Sequence, residues 1–426
     1  MSSPQAELVS AASARSPLLA WCMFDWANSA FTTLVVTFIY ATYFTKSMVP
    51  DPIHGPVLWS RAITITGLCV AILSPYLGAL ADRRGTRRRY LWTSTLVCVF
   101  ASCALAFIRP GLAHAVILAL GLFTVANIAF EVQMVFYNAY LPELASKQQL
   151  GRISGYGWGM GYVGGLCCMA VALFFFVKPN TLLPVSTLDG FNIRATNLLV
   201  AGWMLVFGLP FLLRAPASKA VVAESTAGPW TRLHDSLKTL MERKDIARFL
   251  LARLLYNDGL VTVFAFGGIY AGTVFNMTTS DILGFGIALN VAAGLGALVF
   301  GFMDDKWGSK PTILLSLIAL SGATLLAAFT PSRAGLWTAG ILIGLFAGPN
   351  QSASRSYMSH LAPADRHTEF FGLFALSGKL TAFAGPLVLG LVTGWAHSMR
   401  AGIGVVMLFF LLGGLLLITV PAPHRE

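Results

Sequence analysis

The chain has 426 residues, of which 56% are hydrophobic and 11% charged, with a mean hydropathy of +0.71 and a formal net charge of +11. Soluble domains carry roughly 25% charged residues, so this composition excludes a water-soluble globular protein and points to lipid as the solvent. The basic residues are scattered through short turns between apolar runs, a layout that fits cytoplasmic loops and anionic membrane surfaces and not nucleic acid.

A helix crosses a bilayer with about 20 apolar residues. Windows of that length predict an all-α membrane protein with twelve transmembrane helices. After an N-terminal cytoplasmic tail, 1–16, the first bundle (17–213) holds spans at 17–44, 59–81, 90–109, 114–139, 151–177 and 194–213. A polar segment, 214–245, reads as a cytoplasmic linker, and 230–248 as an amphipathic helix on the membrane surface. The second bundle (246–420) holds spans at 246–273, 281–303, 311–330, 335–360, 367–394 and 399–420, before a short tail, 421–426. With both termini cytoplasmic, 20 of the 29 Lys and Arg residues fall on the cytoplasmic side and 7 on the external side, while Arg253 and Lys379 lie within spans. That bias predicts the orientation.

No cleavable signal peptide is expected at the polar N-terminus. Cys22, Cys69, Cys98, Cys103, Cys167 and Cys168 all sit in apolar runs without CxxC spacing or clustered His. They read as small buried apolar residues, and neither a metal nor another cofactor is expected. The glycine run through Gly151, Gly155, Gly157, Gly159, Gly161, Gly164 and Gly165 lacks the Lys-[Ser/Thr] of a phosphate loop. It reads as close helix packing with a hinge. Pro349 and Pro386 each follow a glycine inside a span and are compatible with kinks.

Two stretches repeat each other 223 positions apart. Gly78-Ala-Leu-Ala-Asp82-Arg83-Arg84-Gly85-Thr-Arg87-Arg88 is echoed by Gly301-Phe-Met-Asp-Asp305-Lys306-Trp307-Gly308-Ser-Lys310, each in a basic turn between apolar runs. Gly155 and Gly161 are echoed by Gly372 and Gly378, 217 positions on. A repeat at half the chain length predicts two similar bundles in tandem. In these turns Gly78 permits close helix approach, and Gly85 makes the tight turn. Asp82 can accept from a neighbouring helix N-terminus or pair with an Arg. Arg83, Arg87 and Arg88 are expected to meet headgroups or acidic partners.

Ionisable groups inside a span are costly and usually face an aqueous cavity or a partner. Asp25, Asn28 and Thr32 form one polar stripe on the first span, and Asn127, Glu131 and Asn138 another on the fourth. The seventh span carries Tyr256, Asn257, Asp258 and Thr262, and the tenth carries Asn350, Gln351, Ser354 and Arg355. For Asp25 and Glu131 two readings stand: proton coupling or recognition of a cationic group, and a fixed ion pair or helix-end hydrogen bond. Lys379, about a dozen residues into its span, is placed either to pair with Asp258 or to hold a substrate carboxylate. Arg253 is expected to snorkel to the cytoplasmic interface, and Arg355 is a candidate for gating.

The twin loop pattern, Gly-x-x-x-Asp-[Arg/Lys]-x-Gly-x-[Arg/Lys], resembles the loop signature of the major facilitator superfamily of transporters. The resemblance implies that fold, with two pseudo-symmetric six-helix bundles and spans one, four, seven and ten lining a central cavity. It also implies that Gly78, Asp82, Arg83, Gly85 and Arg87, with Asp305, Lys306, Gly308 and Arg355, form a gating latch for the outward-facing state, Asp82 and Asp305 being the acceptors. Thr86 departs from the pattern, standing where the superfamily often has Arg directly after Gly. Six further segments resemble the bacterial members of the vacuole-effluxer family, related to fungal autophagy proteins that release amino acids. They are Phe24-Asp25-Trp26-Ala27-Asn28-Ser29-Ala30, Tyr137-Asn138-Ala139-Tyr140-Leu141-Pro142-Glu143, Ser154-Gly155-Tyr156-Gly157-Trp158, Leu255-Tyr256-Asn257-Asp258-Gly259, Ser354-Arg355-Ser356 and Glu369-Phe370-Phe371-Gly372.

This second resemblance implies amino acids or similar zwitterions moved out of a compartment or cell, for which Asp25 or Glu131 with Lys379 would supply opposite-charge partners. The leading expectation is a proton-coupled secondary exporter of small polar solutes, acting as a monomer in the plasma membrane. A transporter of lipids or amphipathic drugs is the alternative, suited to the aromatic first and fourth spans but not to so many buried charges. No catalytic dyad or nucleotide motif speaks for an enzyme. The expected partners are a small-molecule substrate, protons and membrane lipids, and no nucleic acid.

Overall fold

The computed structural model describes residues 4–49, 51, 53–178, 185–217, 238, 240 and 242–421, with side chains from residue 16 on apart from that of Thr279. The linker from 218 to 237, the beginning of the amphipathic helix expected at 230–248, and the tail beyond 421 lie outside the described residues. All regular structure among the described residues is helical, as lipid requires, because a helix satisfies its own backbone polar groups.

The long helices are α1 (Pro4–Ala30), α2 (His54–Arg84), α3 (Arg87–Leu105), α4 (Ala115–Asn138), α5 (Leu150–Ala172), α6 (Thr196–Arg214) and α7 (Lys244–Phe275). They continue as α8 (Thr279–Trp307), α9 (Ser309–Phe329), α10 (Arg333–Leu361), α11 (His367–Lys379), α12 (Ala384–Ala396) and α13 (Met399–Ile418). The first span runs on past α1 through π-helical turns at Phe31–Phe38 and Phe44–Met48.

Among the described residues, ten helical stretches are long and apolar enough to cross a membrane. They account for ten of the twelve predicted windows. The other two windows, 90–109 and 335–360, are also helical, as α3 and α10, but more polar. α3 opens on three arginines, and α10 carries the run Asn350-Gln-Ser-Ala-Ser-Arg-Ser356. Large apolar side chains such as Phe100, Ile318, Phe329 and Trp395 are exposed on the helix surfaces, as lipid-facing residues are.

The eleventh predicted span is broken: α11 ends at Lys379 and α12 begins at Ala384. Pro386 is the third residue of α12, within the first turn, where its missing N–H leaves no intrahelical bond unmade. Pro349, the other residue expected to kink a span, lies within a continuous α10.

Several basic residues predicted to set topology also terminate helices. Arg194 donates to the Ala106 carbonyl (2.8 Å), Arg333 to those of Phe275 (2.9 Å) and Asn276 (2.7 Å), and Arg400 to those of Ala328 (3.0 Å) and Thr330 (2.5 Å). A cation at a helix C-terminus satisfies carbonyls that have no intrahelical donor and complements the helix dipole. At other ends a capping box joins Thr278 and Asp281, and Ser332 and Ser398 cap α10 and α13.

The chain forms two compact units. One contains Met1–Leu73, Ala81–Tyr140 and Met160–Val222; the other contains Ser74–Leu80, Leu141–Gly159 and Ala223–Glu426. Short pieces of α2 and α5 therefore belong to the second unit.

Candidate functional site

In the first unit, α1 and α4 face each other through polar groups. Asp25 and Asn28 are buried on α1, while Glu131 and Asn138 are half-buried on α4. Asn28 accepts from Gln133 Nε2 at 2.8 Å and donates to Met134 Sδ at 3.4 Å. Gln133 is fully buried, and its Oε1 has no hydrogen-bond partner. The sequence stripe through 127, 131 and 138 misses Gln133, whose only signal is a lone amide in an apolar run. Trp21 and Tyr137 stack at 4.6 Å and exchange hydrogen bonds with each other's backbone carbonyls, both at 3.1 Å. The aromatic residues of these spans are thus packed against one another. Gly164 abuts the Trp26 backbone, and Gly161 lies against Ser29, so the glycine run does bring α5 onto α1.

In the second unit, the polar run of α10 is a spine of satisfied hydrogen bonds. Asn350 donates to Ser316 Oγ (3.0 Å), and the Ser354 hydroxyl donates to the Asn350 carbonyl (2.6 Å) and lies 2.7 Å from the Tyr256 hydroxyl. Ser356 meets Ser309, which donates to Asp304 at 2.6 Å. Arg355 is 2% exposed. Its guanidinium donates to the hydroxyl (2.9 Å) and the carbonyl (2.6 Å) of Ser154 on α5 and lies over Trp158. Ser154 donates in turn to the Ser352 carbonyl at 2.7 Å. Gln351 is half-buried beside this spine.

α7 reaches the broken span with three side chains. Arg253 does not run to the interface; it donates to the Phe374 carbonyl (2.7 Å) and to Ser377 Oγ (2.8 Å) and stacks on the Phe374 ring. Asn257 donates to the Gly378 carbonyl at 3.2 Å. Asp258 accepts from the Gly385 amide at 2.9 Å in place of a pair with Lys379, because α12 brings an unsatisfied N–H to it. Lys379 is half-buried at the end of α11.

The twin loops make twin helix crossings, all within the second unit. A Cβ on Gly78 would lie 2.6 Å from the Thr368 carbonyl, and one on Gly372 2.6 Å from that of Ser74, where α2 crosses α11. At the equivalent crossing of α8 and α5, Gly301 abuts Arg152 and Gly155 abuts the Ala297 backbone. Asp305 receives the Arg152 amide at 3.1 Å, in the first turn of α5, and the Arg152 guanidinium at 3.1 Å. Asp82 is paired with Arg87 at 3.5 Å, both side chains buried, and Arg87 also donates to the Ala139 carbonyl at 3.1 Å.

Gly85 adopts a left-handed φ of 61° after α2, and Gly308 a φ of 103° after α8. Arg83 is half-buried and Lys306 exposed. Arg88, expected to meet headgroups or acidic partners, caps α6 through the Leu212 (3.3 Å) and Leu213 (2.7 Å) carbonyls. Lys310 does the same for α13 through Ile418 (2.9 Å) and Val420 (2.5 Å). The motif aligns Lys310 with Arg87, yet Lys310 does the work of Arg88. The reason is that the second turn is one residue shorter: Gly85 and Thr86 separate α2 from α3, whereas Gly308 alone separates α8 from α9.

Comparison with known proteins agrees with this architecture. Residues 57–425 match the family model described as vacuole effluxer Atg22 like. An uncharacterized MFS-type transporter of Bacillus subtilis (strain 168), YxiO, is 24% identical over 94% of both chains. Autophagy-related protein 22 of Kluyveromyces lactis is 26% identical over 94% of this chain and 80% of its own. Against the Vanderwaltozyma polyspora protein of that name, the match spans only 56% of the relative. Among solved structures, the proton:xylose symporter XylE superposes with a TM-score of 0.77 at 13% identity over 97% of both chains. The human organic anion transporter MFSD10 does so with a TM-score of 0.75 at 15% identity, over 95% of this chain and 99% of its own. At such identities the likeness is one of fold, that of the major facilitator superfamily.

Proposed function

The chain belongs to the vacuole effluxer Atg22-like family, and from that premise we propose that it is a secondary transporter that works by alternating access. In this reading twelve spans form two six-helix bundles (17–213 and 246–420), joined by the cytoplasmic linker, with both termini cytoplasmic in a plasma membrane. The protein acts as a monomer. The observation that carries the proposal is the seating of the buried Arg355 guanidinium on Ser154, beside the twin glycine crossings. Breaking those contacts is the movement that opens the cytoplasmic side, so Asp82, Asp305 and Arg355 act as the latch.

The transported solute is a small zwitterion of the amino-acid class, exported against a proton gradient. Two features support this: carboxylates on α1, α4 and α7 lie in otherwise apolar spans, and Lys379 supplies the opposite charge. Asp25 and Glu131 are the groups we assign to the first bundle's part in proton or ammonium recognition, with Asn28 and Asn138 beside them. Tyr256, Asn257, Asp258, Asn350, Gln351 and Lys379 belong to the second bundle's part.

Purified protein in proteoliposomes tests the reading. A pH gradient is expected to drive accumulation of at least one labelled amino acid. Glu131→Gln should abolish that accumulation yet leave exchange of the same amino acid across the membrane. Gradient-driven uptake undiminished by the substitution would remove Glu131 from coupling, and failure of every amino acid to exchange would remove the substrate class.

A further inference from the structure

We propose that the gap between α11 and α12 is a proton-binding site in which Asp258 carries the proton and thereby sets how firmly α12 is held to α7. This rests on the transporter reading above and adds to Asp25 and Glu131 a proton-carrying residue in the second bundle's part of the coupling.

A helix broken inside the membrane exposes carbonyls at one new end and amides at the other, and in lipid each needs a partner. Here α7 supplies both from consecutive residues. Asn257 donates to the Gly378 carbonyl, in the last turn of α11. Asp258 accepts from the Gly385 amide, the second residue of α12, whose own N-cap residue Phe383 makes no side-chain bond. Thr262 donates to the Asp258 carbonyl at 2.7 Å, and a Cβ at position 385 would collide with that hydroxyl. Only glycine lets α12 approach so closely.

Asp258 is 2% exposed, and its Oδ1 has no hydrogen-bond partner. A buried carboxylate with one amide donor is under-solvated as an anion. The open oxygen is where a proton binds, converting the carboxylate to a neutral carboxyl with no other bond broken. Protonation replaces a charge-assisted bond to the helix terminus with a neutral one about half as strong and removes the attraction to the α12 dipole. Conformations that part α12 from α7 while Asp258 stays shielded from water therefore bind the proton more tightly, and by reciprocity the proton favours them.

The other ionisable groups near the gap are accounted for. On α7 itself, Arg253 is bonded to Phe374 and Ser377, and Tyr256 to Ser354. α11 brings Lys379 at its last residue, and α12 carries no ionisable side chain. α13 brings only Arg400, which is held by the Ala328 and Thr330 carbonyls, and α10 brings Arg355 on Ser154.

The experiment uses the full chain in lipid nanodiscs, with two readouts that need no substrate. Infrared difference spectra between acidic and alkaline pH report protonated carboxyls. Hydrogen exchange of the α12 amides, corrected for the intrinsic pH dependence, reports how firmly the helix is held. The wild type is expected to show a titrating carboxyl band and faster α12 exchange at acidic pH. Asp258→Asn should lose the Asp258 share of the band and the rise in α12 exchange at acidic pH.

An undiminished band or an undiminished rise in α12 exchange in Asp258→Asn overturns the proposal, as does absence of either signal in the wild type. Should Asp258→Asn misfold, Asp258→Glu decides: a displaced band supports the assignment and an undisplaced one removes it. If the band belongs to Asp258 while transport ignores pH, the coupling reading of the function fails and the site stands. Gradient-driven transport that survives Asp258→Asn removes Asp258 from the coupling.

Discussion

Arg355 is a cation almost wholly removed from solvent, and its guanidinium donates to two oxygens of one serine. Removing the Ser154 hydroxyl also breaks the relay to the Ser352 carbonyl. Ser154→Ala is therefore expected to destabilise the protein by about 1–3 kcal/mol, read as a lower melting temperature. Arg355→Lys places a compact ammonium where a planar fork is needed and should lower transport by about tenfold or more. Retained transport in Arg355→Lys would show that charge alone suffices.

A second residue concerns pH. Asp51 precedes α2 and accepts the amides of His54 (2.7 Å) and Ile53 (2.8 Å), which hold its carboxyl down at about 2, below the usual 3.8. A lowered folded-state value stabilises the fold above 3.8, and that stability is lost as pH falls through about 2. The melting-temperature gap between wild type and Asp51→Ala should be constant at neutral and mildly acidic pH and close only toward about 2. Any pH dependence of transport near neutrality then has another origin.

At the scale of elements, the glycines divide by what faces them. Gly155 and Gly301 lie at the α5–α8 crossing against backbone atoms, while Gly121 on α4 has nothing within 4 Å. Gly155→Ala and Gly301→Ala are expected to cost about 1–3 kcal/mol through overpacking. Gly121→Ala should leave the melting temperature unchanged or raise it, since alanine favours the helix. Equal effects at all three positions would mean that helix propensity, not the crossing, sets the cost. The repeat in the sequence marks these crossings because close approach admits only glycine. It misassigns Lys310, because the work of capping α13 depends on turn length, which motif alignment absorbs as a gap.

At the scale of the molecule, hydropathy is local and additive, so ten of the predicted windows emerge from the sequence as helices apt to cross a membrane. The two more polar windows, α3 and α10, show where that signal weakens: α10 turns the Asn350 amide, the Ser354 hydroxyl and the Ser352 carbonyl to Ser316, Tyr256 and Ser154 instead of lipid. The tandem repeat, the family and the residue types of the candidate site were likewise readable from the chain, since each rests on residue identity and spacing. Other features were decided by the tertiary structure alone: the pairing of Asn28 with Gln133, the turning of Arg253 inward, and the break after Lys379 that Asn257 and Asp258 complete. Each depends on which donor or acceptor a neighbouring helix brings within about 3 Å. Spacing along one helix shows which face a side chain shares, but only packing determines what that face meets.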